Sequence, residues 1–160
     1  MQTVTLICTG KMREKFYISA FEEYRKRLGA FCRFQCVELP EERLPDDPSE
    51  GEIRRALEKE AAAAEKAIPK NAFVVALCVE GKTMSSPQFA QMFLDREQSG
   101  KPDVCFLIGS SFGMDERLKK QADLRMSMSP MTFPHHLARV LLAEQIYRAY
   151  QSNRGSRYHK

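Results

Sequence analysis

At 160 residues, 43% hydrophobic and 29% charged, the chain has the length and composition of a single globular domain able to bury one core. No run approaches ~18 apolar residues, which excludes a membrane-spanning helix, and Met1 to Gly10 lacks a basic leading region, so it reads as a first strand and not as a signal peptide. The net charge of +4 is concentrated at one end: Phe133 to Lys160 holds five basic residues and one acid, while the first 132 residues hold 20 of each, a placement that suggests an anionic partner meeting the C-terminal end.

In chain order, Val4 to Cys8 is short and β-branched and predicts a buried strand. Tyr17, Phe21, Tyr24 and Leu28 then recur at helical spacing. A second strand is expected at Phe34 to Leu39. Ile53, Leu57, Ala61, Ala64 and Ile68 mark a second helix in an alanine- and glutamate-rich stretch of high helix propensity. Phe73 to Val79 predicts the third strand. Ser86-Pro87 predicts a helix opening with Ser86 as cap and proline at the first position, and Phe89 and Phe93 on the inner face. Val104 to Ile108 is the fourth strand, and a short fifth precedes Ser127. The alternation argues for an α/β fold, a mostly parallel sheet flanked by helices, in one domain.

The five cysteines (Cys8, Cys32, Cys36, Cys78, Cys105) are odd in number and fall in strand-like runs. They read as buried thiols in a reducing, cytoplasmic compartment. No CxxC pair exists, so no metal site is expected.

Ligands on such sheets bind beyond the carboxyl ends of the strands. Three connections qualify: Glu80-Gly81-Lys82, Gly109 to Gly113, and Ser127 to Pro134. Neither GxGxxG nor GxxxxGK[ST] occurs, which weighs against dinucleotide and P-loop chemistry. A non-catalytic RNA-binding protein remains an alternative, although it gives no reason for three such loops at one sheet edge. The last helix, about His136 to Tyr150, is apolar nearly all round and needs a second surface, from a homodimer or from deeper burial in its own chain. His135, at the helix start, is expected to pack and cap.

Leu77 to Lys82 with Ser85-Ser86, Phe106 to Gly109, Met131-Thr132-Phe133-Pro134-His135, the run Arg139 to Arg148 continuing into Ala149, and the terminal Tyr158-His159-Lys160 together resemble one family. These are the small SPOUT-class methyltransferases that modify a pseudouridine in helix 69 of bacterial 23S ribosomal RNA. The resemblance covers essentially the whole chain. It implies a SPOUT-type α/β fold with a C-terminal trefoil knot, a homodimer, S-adenosylmethionine as cofactor, and transfer of methyl to N3 of the pseudouridine in the ribosome.

Carried over by residue, the resemblance puts cofactor contacts at Leu77, Gly109, Met128, Ser129, Pro130, Met131, Thr132 and Phe133. His159 is the candidate base because an imidazole titrates near neutral pH. Arg148 would hold a phosphate or stabilise charge on the uracil oxygens, and Tyr158 would stack on the flipped base. Two positions depart from the family pattern. Ser110 replaces a second glycine after the fourth strand, and Pro130 has only a carbonyl to offer an adenine edge.

Overall fold

The computed structural model describes residues 1–155. Five strands, β1 (Thr3–Thr9), β2 (Arg33–Leu39), β3 (Phe73–Thr83), β4 (Val104–Ile108) and β5 (Leu124–Ser127), alternate with five helices. The helices are α1 (Lys15–Leu28), α2 (Glu50–Ala67), α3 (Ser86–Glu97), α4 (Glu116–Gln121) and α5 (His135–Asn153). The strands form one parallel sheet in the order β2-β1-β4-β3-β5.

The two-residue period of a strand sorts the core into two faces. Val4, Leu6 and Cys8 of β1 and Val104, Phe106 and Ile108 of β4 lie under α1, α3 and α5. The intervening Ile7, Cys105 and Leu107 lie under α2 and α4, against Ala61, Ala64 and Leu118. All five residues of β4 are buried, as expected of a strand covered on both sides. The crevice opens at the carboxyl ends of β3, β4 and β5, the strand ends where ligands of open α/β sheets bind.

Helix starts follow local hydrogen-bond chemistry. Ser49 accepts from the Glu52 N–H at 3.1 Å, and the Glu52 carboxylate accepts from the Ser49 N–H at 3.1 Å, a reciprocal capping box. The cap of α3 is Ser85, one residue before the expected Ser86. Its hydroxyl accepts from the Gln88 N–H at 3.2 Å and the Gln88 side chain accepts from the Ser85 N–H at 2.8 Å. Only Ser85 has a glutamine three residues on, and that decides between the two serines. Cys32 falls in the turn before β2 and not in a strand, while remaining buried.

No residue of α5 is exposed. The helix packs on the sheet with α1 and α3 beside it, so its own chain supplies much of the surface that its apolar character demands. The charge near this end needs a correction, because Arg139 is not available to a partner. Its side chain is 2% exposed, donates to the Gly10 carbonyl at 2.8 Å and forms an ion pair with Glu38. Burial alone would raise the Glu38 carboxyl, but the Arg139 hydrogen bond, the Met12 N–H and the guanidinium charge bring it below the usual carboxylate range. Arg139→Ala should therefore cost about 1–3 kcal/mol in urea unfolding, because it leaves the Gly10 carbonyl without its donor and takes the partner from a carboxylate that solvent still reaches. A loss under 1 kcal/mol would contradict this role.

Candidate active site

A cavity of about 630 Å³ occupies the crevice at the carboxyl ends of β3, β4 and β5. Three backbone segments wall it, and each is shaped by a specific glycine, serine or proline.

The first wall is a bulge inside β3. Met126 of β5 pairs with both Leu77 and Lys82, so Cys78 to Gly81 loops out and presents Cys78, Val79 and Glu80 to the cavity. Glu80-Gly81-Lys82, expected as a loop leaving the strand, is thus part of β3. Gly81 permits the arrangement: a Cβ there would lie 2.7 Å from the Met126 backbone carbon.

The second wall is the turn after β4. Ser110 donates its N–H to the Gly113 carbonyl at 3.0 Å, and Gly113 donates back at 2.9 Å. Gly113 has φ +98°, a conformation suited to glycine, whereas Ser110 is not among the positive-φ residues. A side chain at position 110 therefore costs no backbone strain. Its hydroxyl donates to Glu60 at 2.9 Å, and Glu60, 7% exposed, also accepts from the Glu42 N–H at 2.9 Å. Burial raises the Glu60 carboxyl despite those two bonds. Gly109 has no such freedom: a Cβ there would lie 2.6 Å from the Gly113 carbonyl carbon and closer still to its oxygen.

The third wall is the connection from β5 to α5. Ser127 donates its hydroxyl to the Ser129 carbonyl at 2.9 Å, and the Ser129 hydroxyl accepts from the Met131 N–H at 3.0 Å. These bonds fold the segment over the cavity, with Met128, Ser129, Met131, Thr132 and Phe133 lining it. Pro130 is exposed and does not line it.

Of the eight residues expected to touch a cofactor, seven thus meet at one cavity. Arg148 does not. It lies ten residues beyond Ala138, the last cavity-lining residue of α5, about 15 Å along the axis at 1.5 Å per residue. It pairs with Glu144 at 3.1 Å. Tyr158 and His159 lie outside the described residues.

Sequence reasoning missed two groups on the walls. Lys119, from the short α4, reaches the cavity and pairs with Glu80. Burial opposes its charge, but the Glu80 hydrogen bond and carboxylate outweigh it and hold the ammonium above its usual range. His135 was expected to cap α5, yet the cap is Pro134 with no side-chain bond. His135 instead lines the cavity, and its Nε2 is buried with no partner. Lys119 carries no periodicity or motif signal of its own, while His135 closes the Met131 to His135 motif but reads there only as a packing and capping residue.

Burial, then the neighbouring His136, pushes the His135 imidazole below its usual value, so it stays neutral in the fold. The unfolded chain takes up that proton near pH ~6.5, and acid therefore favours unfolding. Stability from His135 should be full above that pH and decline as pH falls toward the folded value. His135→Gln should flatten the loss between pH 7.5 and 5.5 in urea melts; an unchanged slope would exclude His135 as its source.

Among the described residues no group of three or more His, Cys, Asp or Glu is placed to hold a metal, and no helix is long and apolar enough to cross a membrane.

A family model described as "Predicted SPOUT methyltransferase" matches residues 1–159. The chain belongs to the SPOUT methyltransferase family. Among its relatives, proteins named ribosomal RNA large subunit methyltransferase H from Bifidobacterium adolescentis and Streptococcus suis are 45% and 43% identical, each over 98% of this chain and 99% of the relative. A probable methylase family protein from Haemophilus influenzae Rd KW20 matches in structure with a TM-score of 0.55 at 13% identity, over 99% of this chain and 70% of that one. That likeness is one of fold.

Proposed function

We propose that the protein is an S-adenosylmethionine-dependent methyltransferase that acts on N3 of a pseudouridine in helix 69 of 23S ribosomal RNA, as a homodimer in the cytoplasm. The observation that carries the reading is the convergence of seven motif residues on one crevice of about 630 Å³, within the size range of small-molecule sites. The lining fits the cofactor: Leu77, Met128 and Phe133 offer apolar surface, and the glycine at 109 lets the Gly113 carbonyl pack against it, which sets the turn that forms one wall. The trefoil knot that the family resemblance implies belongs to the same reading.

Leu77, Gly109 and Met128 to Phe133 would hold the cofactor, with Pro130 acting on loop shape and not by contact. The bound group supplies an electrophilic methyl on a sulfonium. What remains for the chain is to orient the uracil nitrogen, exclude water and take the N3 proton. Orientation alone can supply about 7–11 kcal/mol. His159 is the proposed proton acceptor, Tyr158 the stacking platform, and Arg148, about 15 Å from the cavity of its own chain, the cation that would meet the uracil oxygens or a phosphate at the cavity of a second copy.

Chain length favours a partner's tail at each cavity. From Ala138 to Asn153 is about 22 Å along α5. The six residues from Arg154 to His159 span at most about 20–22 Å when fully extended. Only a tail laid flat back along its own helix, with no turn, would bring His159 to its own cavity. A second copy whose tail approaches from outside meets no such limit. The half-buried Leu137 and Leu141 on α5 supply apolar surface for that copy. Light scattering at micromolar concentration should give twice the 18.4 kDa chain mass; the mass of one chain would contradict the dimer. Calorimetry should detect S-adenosylmethionine binding without RNA, and its absence would remove the cofactor assignment.

A further inference from the structure

A second cleft, of about 400 Å³, lies across the turn after β4 from the cofactor cavity. The two share Ser111. Its walls come from the connection after β1, the connection after β2 and the tip of the turn, which bring Arg13, Arg43 and Phe112 to one place. Phe112 is 47% exposed, an aromatic ring held at a turn tip with half its surface in water. Neither arginine forms an ion pair among the described residues. The cleft also holds acids, but two are already engaged. Glu41 accepts from the Ser111 N–H and hydroxyl at 3.1 and 2.8 Å, and Glu42 pairs with Lys59 at 3.6 Å. Glu41 keeps its charge, since both of its donors are neutral, and Asp46 forms no ion pair among the described residues.

Two unpaired guanidiniums flanking an exposed aromatic ring suit single-stranded nucleic acid. Phosphates take the cations and any base can stack on the ring. We infer that this cleft is a track for the RNA strand adjoining the target base, with Phe112 stacking a neighbouring nucleobase and Arg13 and Arg43 holding the phosphates beside it. The inference rests on the RNA methyltransferase reading above. A base extruded into the cofactor crevice leaves its flanking backbone outside, and the turn carrying Phe112 is the partition between the two clefts. Glu41 serves the track indirectly, by fixing Ser111 and with it the ring at position 112.

The test is methyl-transfer kinetics on ribosomes from a strain lacking the modification, with Phe112→Ala and the double variant Arg13→Gln/Arg43→Gln. Arg33→Gln, an exposed cation at the opposite end of the sheet, is the control. Phe112→Ala should raise the KM for ribosomes about 5- to 150-fold, as expected for one lost base stack, with S-adenosylmethionine binding unchanged by calorimetry. The double variant should lower the slope of log kcat/KM against log salt by about 1.4, at about 0.7 per released counterion on a single strand. The control should match wild type. Unchanged KM and salt slope in both variants would overturn the track, as would loss of cofactor binding in Phe112→Ala, which would assign the ring to the cofactor wall. No transfer by the wild-type protein would instead defeat the parent reading.

Discussion

Removal of Tyr158 to Lys160 is expected to abolish most methyl transfer while leaving the melting temperature within a few degrees and S-adenosylmethionine binding intact. The core and all five strands are complete by Asn153, and a terminus that closes no core is dispensable to the fold. Replacing His159 alone with alanine should cost about 10²–10⁴-fold if it takes the N3 proton, and far less if it only touches phosphate. The proposed dimer allows a sharper form of the experiment. Chains lacking the tail, mixed and re-annealed with chains lacking cofactor binding, should regain activity, because one cavity then has both an intact lining and an intact partner tail. Full activity in the truncated protein alone would show that the reacting groups lie elsewhere.

Gly109→Ala should abolish S-adenosylmethionine binding in calorimetry with the secondary structure retained. The family resemblance puts a cofactor contact at Gly109. The structure adds a second cause. Even one methyl would meet the Gly113 carbonyl carbon at 2.6 Å, and that neighbour is backbone held by two mutual hydrogen bonds. The Ser110–Gly113 turn must move, carrying Ser111 and one cavity wall with it. Valine should be no better tolerated. Wild-type affinity in Gly109→Ala would take this turn out of the binding site.

The strands were legible where they are apolar throughout and bounded by polar residues. Val104 to Ile108 was read with its observed limits, since a fully buried strand leaves no ambiguity about where it stops. What stayed hidden depended on tertiary contact. α4 has six residues with Leu118 alone buried, too few for a helical period to register. The bulge in β3 shows only through its pairing, where one residue of β5 meets two of β3. Arg139 counted as surface charge in composition, and only the contact with Glu38 and Gly10 reveals it as buried. The candidate site was legible in part because its loops follow strands in a fold whose ligands sit at carboxyl ends. Lys119 and His135 were not, because nothing local to either marks it as facing a cavity.

N3 methylation is measured by transfer of a tritiated methyl group from S-adenosylmethionine to ribosomes that lack the modification, with the labelled nucleoside then identified. Stoichiometric label on N3 of a pseudouridine in helix 69, from wild-type protein alone, is the expected result. Label on any other nucleoside, or no label with the cofactor bound, would contradict it.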